Sequence, residues 1–139
     1  MKKVQGVLLV DDSKATNFFN KTILQKSELV QEISVVENGK QALEHIAAGN
    51  VPEVIFLDIN MPVMDGWEFL EAYQNLSEDL KTSTIVIMLG TPLPERYRDK
   101  ALSYPQVIGF REKMLTKSIF SILLDQISEL GFSKKIKQS

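Results

Sequence analysis

Three aspartates and one lysine are the residues whose types and positions in this chain suggest chemistry. Asp11 and Asp12 follow the apolar run 7–10, Asp58 ends the apolar run 54–57, and Lys113 comes shortly after the run 107–110. Runs this short and this rich in branched residues are typical of strands buried on both faces of a sheet. Open α/β sheets place their ligands at the carboxyl ends of the strands, so we expect these four side chains to meet at one edge.

We expect a cluster of three carboxylates to bind a cation. Each negative charge raises the pKa of its neighbours, and Mg²⁺ relieves that repulsion because it prefers oxygen ligands. A carboxylate beside Mg²⁺ and a lysine can also accept a phosphoryl group, a transfer that depends on positioning and on charge neutralisation. Two plainer interpretations stay open at this point: a solvated acidic rim without a dedicated ion, and a Lys113 that is an ordinary surface lysine.

The elements that must position these residues alternate between strand and helix. Apolar runs predict strands near residues 7–10, 33–36, 52–58, 84–89 and 107–110. Capping residues and periodicity predict helices from the N-cap Ser13 to about Lys26, over 40–48, 66–76 and 94–103, and from the cap Thr116 to Gly131. Five such units in series predict one doubly wound α/β domain with a parallel sheet and helices on both faces.

The first and last helices carry apolar residues at helical spacing. The first places Ala15, Phe18, Phe19 and Ile23 on one face. In the last, we expect Ile119, Ile122, Leu123, Ile127 and Leu130 to point inward. The chain of 139 residues shows no internal repeat and no low-complexity segment, so we predict a single domain over 1–139. Residues 132–139 are expected to form a flexible C-terminal tail.

Composition excludes several classes of function. The formal charge of -2 gives no basic surface for nucleic acid. The chain has no cysteine, which excludes disulfides and thiolate metal sites. No apolar run approaches membrane-spanning length, and the run 7–10 is too short for a signal sequence. We therefore expect a soluble cytoplasmic domain with neither a nucleic-acid nor a membrane partner.

Four features together resemble the response-regulator receiver domain of two-component signalling, of the single-domain, chemotaxis-regulator type. They are VLLVDDS at 7–13, Asn17 in the first helix, FLDINMPVMDG at 56–66, and Lys113. They span nearly the whole chain in the order of the family. The resemblance implies a flavodoxin-like fold with five helices and the strand order 2-1-3-4-5.

The resemblance also implies roles for individual residues. Asp58 would accept a phosphoryl group from a sensor histidine kinase or a histidine phosphotransfer protein. Asp12, Asp58 and the main-chain carbonyl of Asn60 would bind Mg²⁺, with Asp11 reaching it through water, and Lys113 would contact the phosphoryl oxygens. Phe110 matches the switch aromatic of the family, although a phenylalanine at the edge of the core fits the same position.

The sequence departs from the family pattern at two positions. Leu89 is followed by Gly90 where the family usually has Thr or Ser, so the switch hydroxyl is missing, and Thr91 is the residue that could replace it. Met114 follows Lys113 where the family usually has proline, and a non-proline cis peptide bond there would be costly.

Three functions are compatible with these residues. The first is a phosphoacceptor switch that catalyses its own phosphorylation and dephosphorylation and signals to an unknown downstream protein, as a stand-alone receiver or as a relay intermediate. The second is a degenerate receiver acting as an unphosphorylated scaffold, which the missing hydroxyl at Gly90 favours. The third is a phosphohydrolase with an aspartate nucleophile, which Asn60 disfavours because haloacid-dehalogenase-type enzymes place a second aspartate there.

Overall fold

The computed structural model describes residues 3–138, with the surroundings of the side chains described for residues 3–129. Its five strands are β1 (Val4–Val10), β2 (Val30–Val36), β3 (Val54–Asp58), β4 (Thr84–Leu89) and β5 (Val107–Glu112). Its α-helices are α1 (Lys14–Ser27), α2 (Gly39–Ala47), α3 (Gly66–Tyr73), α4 (Glu95–Leu102) and α5 (Lys117–Gln138), with a 3₁₀ turn at Glu78–Leu80. All strand pairs are parallel and their order is β2-β1-β3-β4-β5. The predicted flavodoxin-like α/β fold is confirmed.

The sheet is buried on both faces because alternate residues of each strand feed opposite halves of the core. Leu8, Ile55 and Ile85 pack on the face covered by α2, α3 and α4. Their neighbours Leu9 and Phe56 pack on the other face, which α1 and α5 cover. All five residues of β3 are buried, as expected for a central parallel strand.

Helix α1 begins at its predicted cap but buries an unexpected face. The Ser13 side chain accepts a hydrogen bond from the Thr16 N–H. Phe18 is 74% exposed and Phe19 39% exposed. The buried positions of the helix are Asn17, Asn20, Leu24 and Ser27. This helix therefore turns polar side chains toward the protein, and those side chains lie close to the functional site described below.

Helix α5 differs from its prediction in two ways. Ile122 is predicted to point inward, but it is 55% exposed, whereas Leu123 is buried. The buried stripe runs through Phe120, Leu123 and Leu124, spaced three and four residues apart, which leaves Ile122 on another side of the helix. The helix also continues through Gly131, because glycine weakens a helix interior without having to end it. The side chain of Leu130 lies outside the described residues, and the flexibility of 132–139 stays a prediction.

Across the part of the chain that the structure describes, no helix has both the length and the hydropathy needed to cross a lipid bilayer.

Candidate functional site

The three aspartates meet at the carboxyl edge of the sheet, as their positions predicted. Asp58 is the last residue of β3, and Asp11 and Asp12 directly follow the neighbouring β1. One carboxylate oxygen from each lies within 4.8 Å of the others. Asp58 is 3% exposed and Asp11 5% exposed, while Asp12 faces solvent. Two buried carboxylates and one exposed carboxylate thus form one cluster.

Lys113 brings the only ammonium group that the described residues place against these carboxylates. Its Nζ lies 3.1 Å from Asp58 Oδ1 and 3.6 Å from Asp11 Oδ2. The residue follows β5, and its N–H donates to the Leu89 carbonyl at the end of β4. The ends of β1, β3, β4 and β5 therefore all contribute to holding this ion pair.

The electrostatics of the site leave negative charge in excess. Burial raises the pKa of Asp58, and the charge of Asp11 raises it further; the hydrogen bond and charge of Lys113 lower it but do not cancel the rise. Burial lowers the pKa of Lys113, but Asp58 and Asp11 outweigh that effect, so its pKa stands above the ordinary value. One lysine is too little positive charge for three carboxylates.

The donor set fits a hard divalent cation. Asp58 Oδ2 is buried and has no hydrogen-bond partner among the described residues, although a buried polar atom ordinarily has one. A bound ion would satisfy this atom and would balance the surplus charge. The available ligands are all oxygens, which favours Mg²⁺ over softer metals. Asn60 lies in the loop after β3 and lines the cavity beside Asp58.

The loop after β3 is tied down where it returns to α3. The Asp65 side chain accepts from the Glu68 N–H, and Glu68 accepts from the Asp65 N–H, which forms a capping box. A Cβ on Gly66 would lie 2.7 Å from the Asp58 carbonyl oxygen and 2.8 Å from Ile59 Cα. Only glycine allows this close approach, so the sequence Asp65-Gly66 sets the distance between α3 and the main chain of Asp58.

The middle of that loop is strained. Val63 has a φ of 69°, and the Met64 N–H donates to the Pro62 carbonyl at 2.7 Å. This is a three-residue γ-turn with a left-handed central residue, a rare conformation and an unfavourable one for a β-branched side chain. Val63 is also 75% exposed, whereas Met61 is buried against the core. The loop that follows Asp58 thus exposes one apolar residue in an unfavourable backbone conformation.

A cavity of about 580 Å³ opens beside Asp58 and Lys113. Its lining includes residues 90–94, which follow β4, together with Trp67 of α3 and Tyr97 and Lys100 of α4. The Trp67 and Tyr97 rings lie 6.1 Å apart, and Lys100 Nζ lies 4.6 Å from the centre of the Trp67 ring. Thr91 is exposed and lines this cavity together with Asp58; its role as a replacement hydroxyl stays a prediction.

Phe110, the candidate switch residue, is partly exposed on β5. The guanidinium carbon of Arg98 lies 4.5 Å from the centre of its ring, within the range of a cation–π contact. Phe110 also packs at the margin of the core beneath α4. Both interpretations offered for this residue, a switch aromatic and a core-edge phenylalanine, are compatible with that position.

Two asparagines of α1 reach the site, and the sequence pattern singled out only Asn17. Asn17 Nδ2 donates to the Asp11 carbonyl at 2.7 Å. Asn20 Nδ2 donates to the Lys113 carbonyl at 2.8 Å, and Asn20 Oδ1 accepts from the Leu115 N–H at 2.9 Å. The signal available in the sequence was their three-residue spacing, which puts both amides on one face of α1. That face is the buried one. Phe18 and Phe19, on another side of the helix, are more apolar and made their own side look like the buried face.

The fold and this pocket define the class of protein. A parallel sheet in the order 2-1-3-4-5, with an acidic triad and a lysine at its carboxyl edge, is the arrangement expected of a receiver domain. The family model of the response regulator receiver domain matches residues 7–117. The chain belongs to the response regulator receiver domain family.

Individual relatives agree with this assignment. A two-component response regulator from Cytophaga hutchinsonii has a solved structure with 30% identity and a TM-score of 0.81, covering 92% of this chain and 99% of that one. The chemotaxis response regulator CheY4 of Vibrio cholerae gives 25% identity and a TM-score of 0.73, covering 90% and 99%.

A curated relative extends well beyond this domain. The chain is 40% identical over 87 residues to a protein-glutamate methylesterase/protein-glutamine glutaminase of Carboxydothermus hydrogenoformans, covering 63% of this chain and 23% of that protein. The chain thus spans about a quarter of the length of such relatives.

Proposed function

We propose that this receiver domain is a phosphoacceptor switch and that Asp58 is the residue phosphorylated. The observation that carries the proposal is the position of the Asp58 carboxylate: it is buried, 3.1 Å from the Lys113 ammonium, and beside Asp11 and Asp12. The cavity next to it leaves space for an incoming phosphoryl group. A sensor histidine kinase or a histidine phosphotransfer protein is the donor that the family implies.

The reaction exchanges one bond to phosphorus for another. An Asp58 carboxylate oxygen attacks the phosphorus of a phosphohistidine, and the P–N bond breaks as the P–O bond forms. The imidazole leaves with the electron pair and takes up a proton, and Asp58 becomes an acyl phosphate. Lys113 contacts the phosphoryl oxygens and neutralises part of their charge. Hydrolysis reverses the state: water attacks phosphorus, and the products are the free carboxylate and inorganic phosphate.

Asp12, Asp58 and the Asn60 carbonyl would hold Mg²⁺, with Asp11 acting through water. When bound, the ion supplies two positive charges beside the transferring group. The unpartnered Asp58 Oδ2 and the surplus negative charge support this assignment.

The two other candidate functions have weaker support. A degenerate scaffold has no need for the full set of three carboxylates and a lysine, which this chain keeps in contact. A phosphohydrolase of the haloacid-dehalogenase type needs an acid/base two residues after its nucleophile, and Asn60 cannot serve as one. We therefore assign a signalling switch that catalyses its own phosphorylation and dephosphorylation, with a downstream protein as its reader.

Intact-mass measurement after incubation with acetyl phosphate and Mg²⁺ tests this function. We expect one added phosphoryl group on the wild type and none on Asp58→Ala. The Asp65→Asn variant is a matched control, because it changes an aspartate that caps a helix outside the acidic cluster. Labelling that persists in Asp58→Ala would disprove the assignment of Asp58, and an unlabelled wild type would favour the scaffold.

A further inference from the structure

The position of Lys113 depends on its main chain, because a lysine side chain alone is a poor positioning device. Its four-carbon stem rotates freely, so the ammonium stays beside Asp58 only when the Cα is held in place. Lys113 is followed by Met114, which is 50% exposed and therefore adds little anchoring by burial. No peptide bond of the described residues is cis. The main chain here needs another support.

Asn20, which is distant in sequence, supports the main chain of this segment. Its amide donates to the Lys113 carbonyl and accepts from the Leu115 N–H, so it spans Met114 with two hydrogen bonds. The residues joined are 93 and 95 positions apart. Asn20 itself is 4% exposed and Leu115 is 1% exposed, so water cannot easily replace these bonds. One amide side chain thus pairs with this segment as an adjacent strand would.

A third main-chain bond completes the arrangement. The Lys113 N–H donates to the Leu89 carbonyl at 3.2 Å, which fixes the residue against β4. The N–H and C=O of Lys113 are therefore bonded on two sides, by β4 and by α1. The direction of the Cα–Cβ bond, and with it the reach of the ammonium toward Asp58, follows from these contacts.

We propose that Asn20 is a positioning residue for phosphoryl binding, acting through Lys113 by clamping the main chain on both sides of Met114. This inference rests on the proposed phosphoacceptor function. The side-chain hydrogen bonds of Asn20 go to main-chain groups and not to the carboxylates. Its effect should therefore appear in the binding of the phosphoryl group and be absent from the binding of the metal.

Beryllofluoride, which mimics the phosphoryl group, and Mg²⁺ are the two probes that separate these effects. Asn20→Leu removes both hydrogen bonds while keeping a side chain of similar size. With Mg²⁺ saturating, we expect it to weaken beryllofluoride binding by about tenfold to a hundredfold, the range expected when a hydrogen bond to a charged group is lost. Labelling by acetyl phosphate should slow by a similar factor. Affinity for Mg²⁺ alone should not fall, because Asn20→Leu removes no metal ligand and a displaced Lys113 ammonium would offset less of the carboxylate charge.

Ser27→Ala is the matched control for lost stability. Ser27 lies at the other end of α1, is 7% exposed, and also makes two main-chain hydrogen bonds, to the Leu24 carbonyl and from the Leu29 N–H. It should lower thermal stability without changing beryllofluoride affinity. Asn20→Asp keeps the acceptor for Leu115 and loses the donor for Lys113, so we expect an intermediate loss. If Asn20→Leu does not fold, the beryllofluoride titration is made with Asn20→Asp instead.

A double-mutant cycle decides whether the effect runs through the lysine. In a Lys113→Ala background, Asn20→Leu should cause little further loss of beryllofluoride affinity, since its target is already gone. Losses that add, or wild-type affinity in Asn20→Leu and Asn20→Asp, would overturn the inference. A wild type that binds no beryllofluoride would instead overturn the phosphoacceptor function, so the two failures are distinguishable.

Discussion

The ionised carboxylate of Asp58 lowers the stability of the fold that positions it. Its carboxylate is buried next to Asp11, and the contact with Lys113 only partly offsets this placement. The pKa of Asp58 is therefore raised above the ordinary value of 3.8. A raised pKa means that the folded state binds the proton more tightly than the unfolded state does. The ionised carboxylate therefore lowers the free energy of unfolding wherever the pH exceeds the folded pKa.

We predict that Asp58→Asn stabilises the metal-free protein at neutral pH. The gain should be on the order of 1 kcal/mol, which corresponds to a rise of about 2–6 °C in Tm for a domain of this size. The gain should shrink as the pH falls through the folded pKa and vanish below the unfolded value, because Asp58 is then protonated in both states. Thermal unfolding in EDTA across that pH range measures it. Asp65→Asn should show no such gain, and a destabilised Asp58→Asn at neutral pH would contradict this prediction.

Gly90 lacks the hydroxyl that the family pattern predicts, yet the structure has space for one. A Cβ at this position would meet Lys113 Cδ and Cε at 3.7 Å, an ordinary contact distance. Gly90 is exposed at the end of β4 and lines the cavity beside Asp58. A side chain can therefore be added here without displacing the main chain.

We predict that Gly90→Thr strengthens the response to a phosphoryl mimic. A hydroxyl donating to a charged phosphoryl group is worth about 1.5–3 kcal/mol, or roughly tenfold or more in beryllofluoride affinity. Gly90→Ala is the control, since it adds the Cβ without the hydroxyl. Titration with beryllofluoride and Mg²⁺ compares the three proteins. Equal affinities for Gly90→Thr and Gly90→Ala would show that the hydroxyl is not used.

At the scale of elements, the β3–α3 loop combines rigid ends with a strained centre. Gly66 and the capping box hold one end against Asp58. At the other contact, the Gly39 N–H donates to the Met64 carbonyl at 2.9 Å, which ties the loop to the start of α2. Val63 lies between the buried Met61 and these contacts of Met64 and Gly66, so it cannot relax its positive φ without disturbing them. Strain of this kind persists where the surroundings fix the backbone, often near functional sites.

We predict that Val63→Gly stabilises the protein, because glycine adopts a positive φ without the cost that a β-branched residue carries. The net gain should be about 0.5–1 kcal/mol, since glycine also gives the unfolded chain more freedom. The midpoint of urea unfolding measures it. Val63→Ala separates the causes: it keeps the Cβ, so it should recover only part of the gain. Destabilisation by Val63→Gly would mean that the exposed valine contributes packing not evident in its contacts.

Helix α4 contacts the rest of the protein mainly through partly exposed side chains. Ala101 is its only buried residue, so little apolar area holds it down. Instead, Tyr97 stacks near Trp67, Lys100 lies over Trp67, and Arg98 lies over Phe110. The two cation–π contacts are worth about 0.5–1 kcal/mol each at exposed sites. A change in the adjacent pocket could therefore shift α4 at low energetic cost.

For the whole molecule, the proposed switch would require that a change at Asp58 reach the surface of α4, β5 and α5. To move a population from mostly off to mostly on takes about 5.5 kcal/mol of differential stabilisation. The bond that a strand-four hydroxyl would add is absent at Gly90, and Arg98 already holds Phe110 at the protein margin. Both features argue for a partial transition unless Thr91 takes over the missing bond.

We predict that beryllofluoride moves Thr91 toward Asp58 and that Phe110 turns inward by less than a full flip. Crystal structures or amide shifts of the free and mimic-bound protein measure both movements. Arg98→Ala offers a second comparison, since removing the cation–π contact should increase the movement of Phe110. A Thr91 hydroxyl far from the mimic, together with a fully buried Phe110, would show that the coupling runs through other residues.

The sequence alone determined the fold class and the acidic cluster, because both depend on local patterns. Apolar runs alternating with helical periodicity imply a parallel sheet, and parallel strands bring their carboxyl ends to one edge. The position of Asp58 at the end of its strand, and of Asp11 and Asp12 after theirs, follows from counting residues. The N-cap at Ser13 could be read in the same way, because a cap is a contact between residues three apart.

Only the tertiary structure decided which side of a helix is inside and what supports the site. Phe18 and Phe19 made α1 look as though its apolar side faced the core, yet its buried face carries Asn17 and Asn20. Those amides are buried because main-chain groups of other segments need partners there, one of them more than 90 residues away. The positive φ of Val63 was equally invisible, since it depends on contacts of the loop with distant partners, such as the bond from the Gly39 N–H to the Met64 carbonyl. The local sequence pattern predicts which element a segment can form. Which of its side chains are buried, and which main-chain groups they must hydrogen-bond, depends on neighbours that only the folded chain brings together.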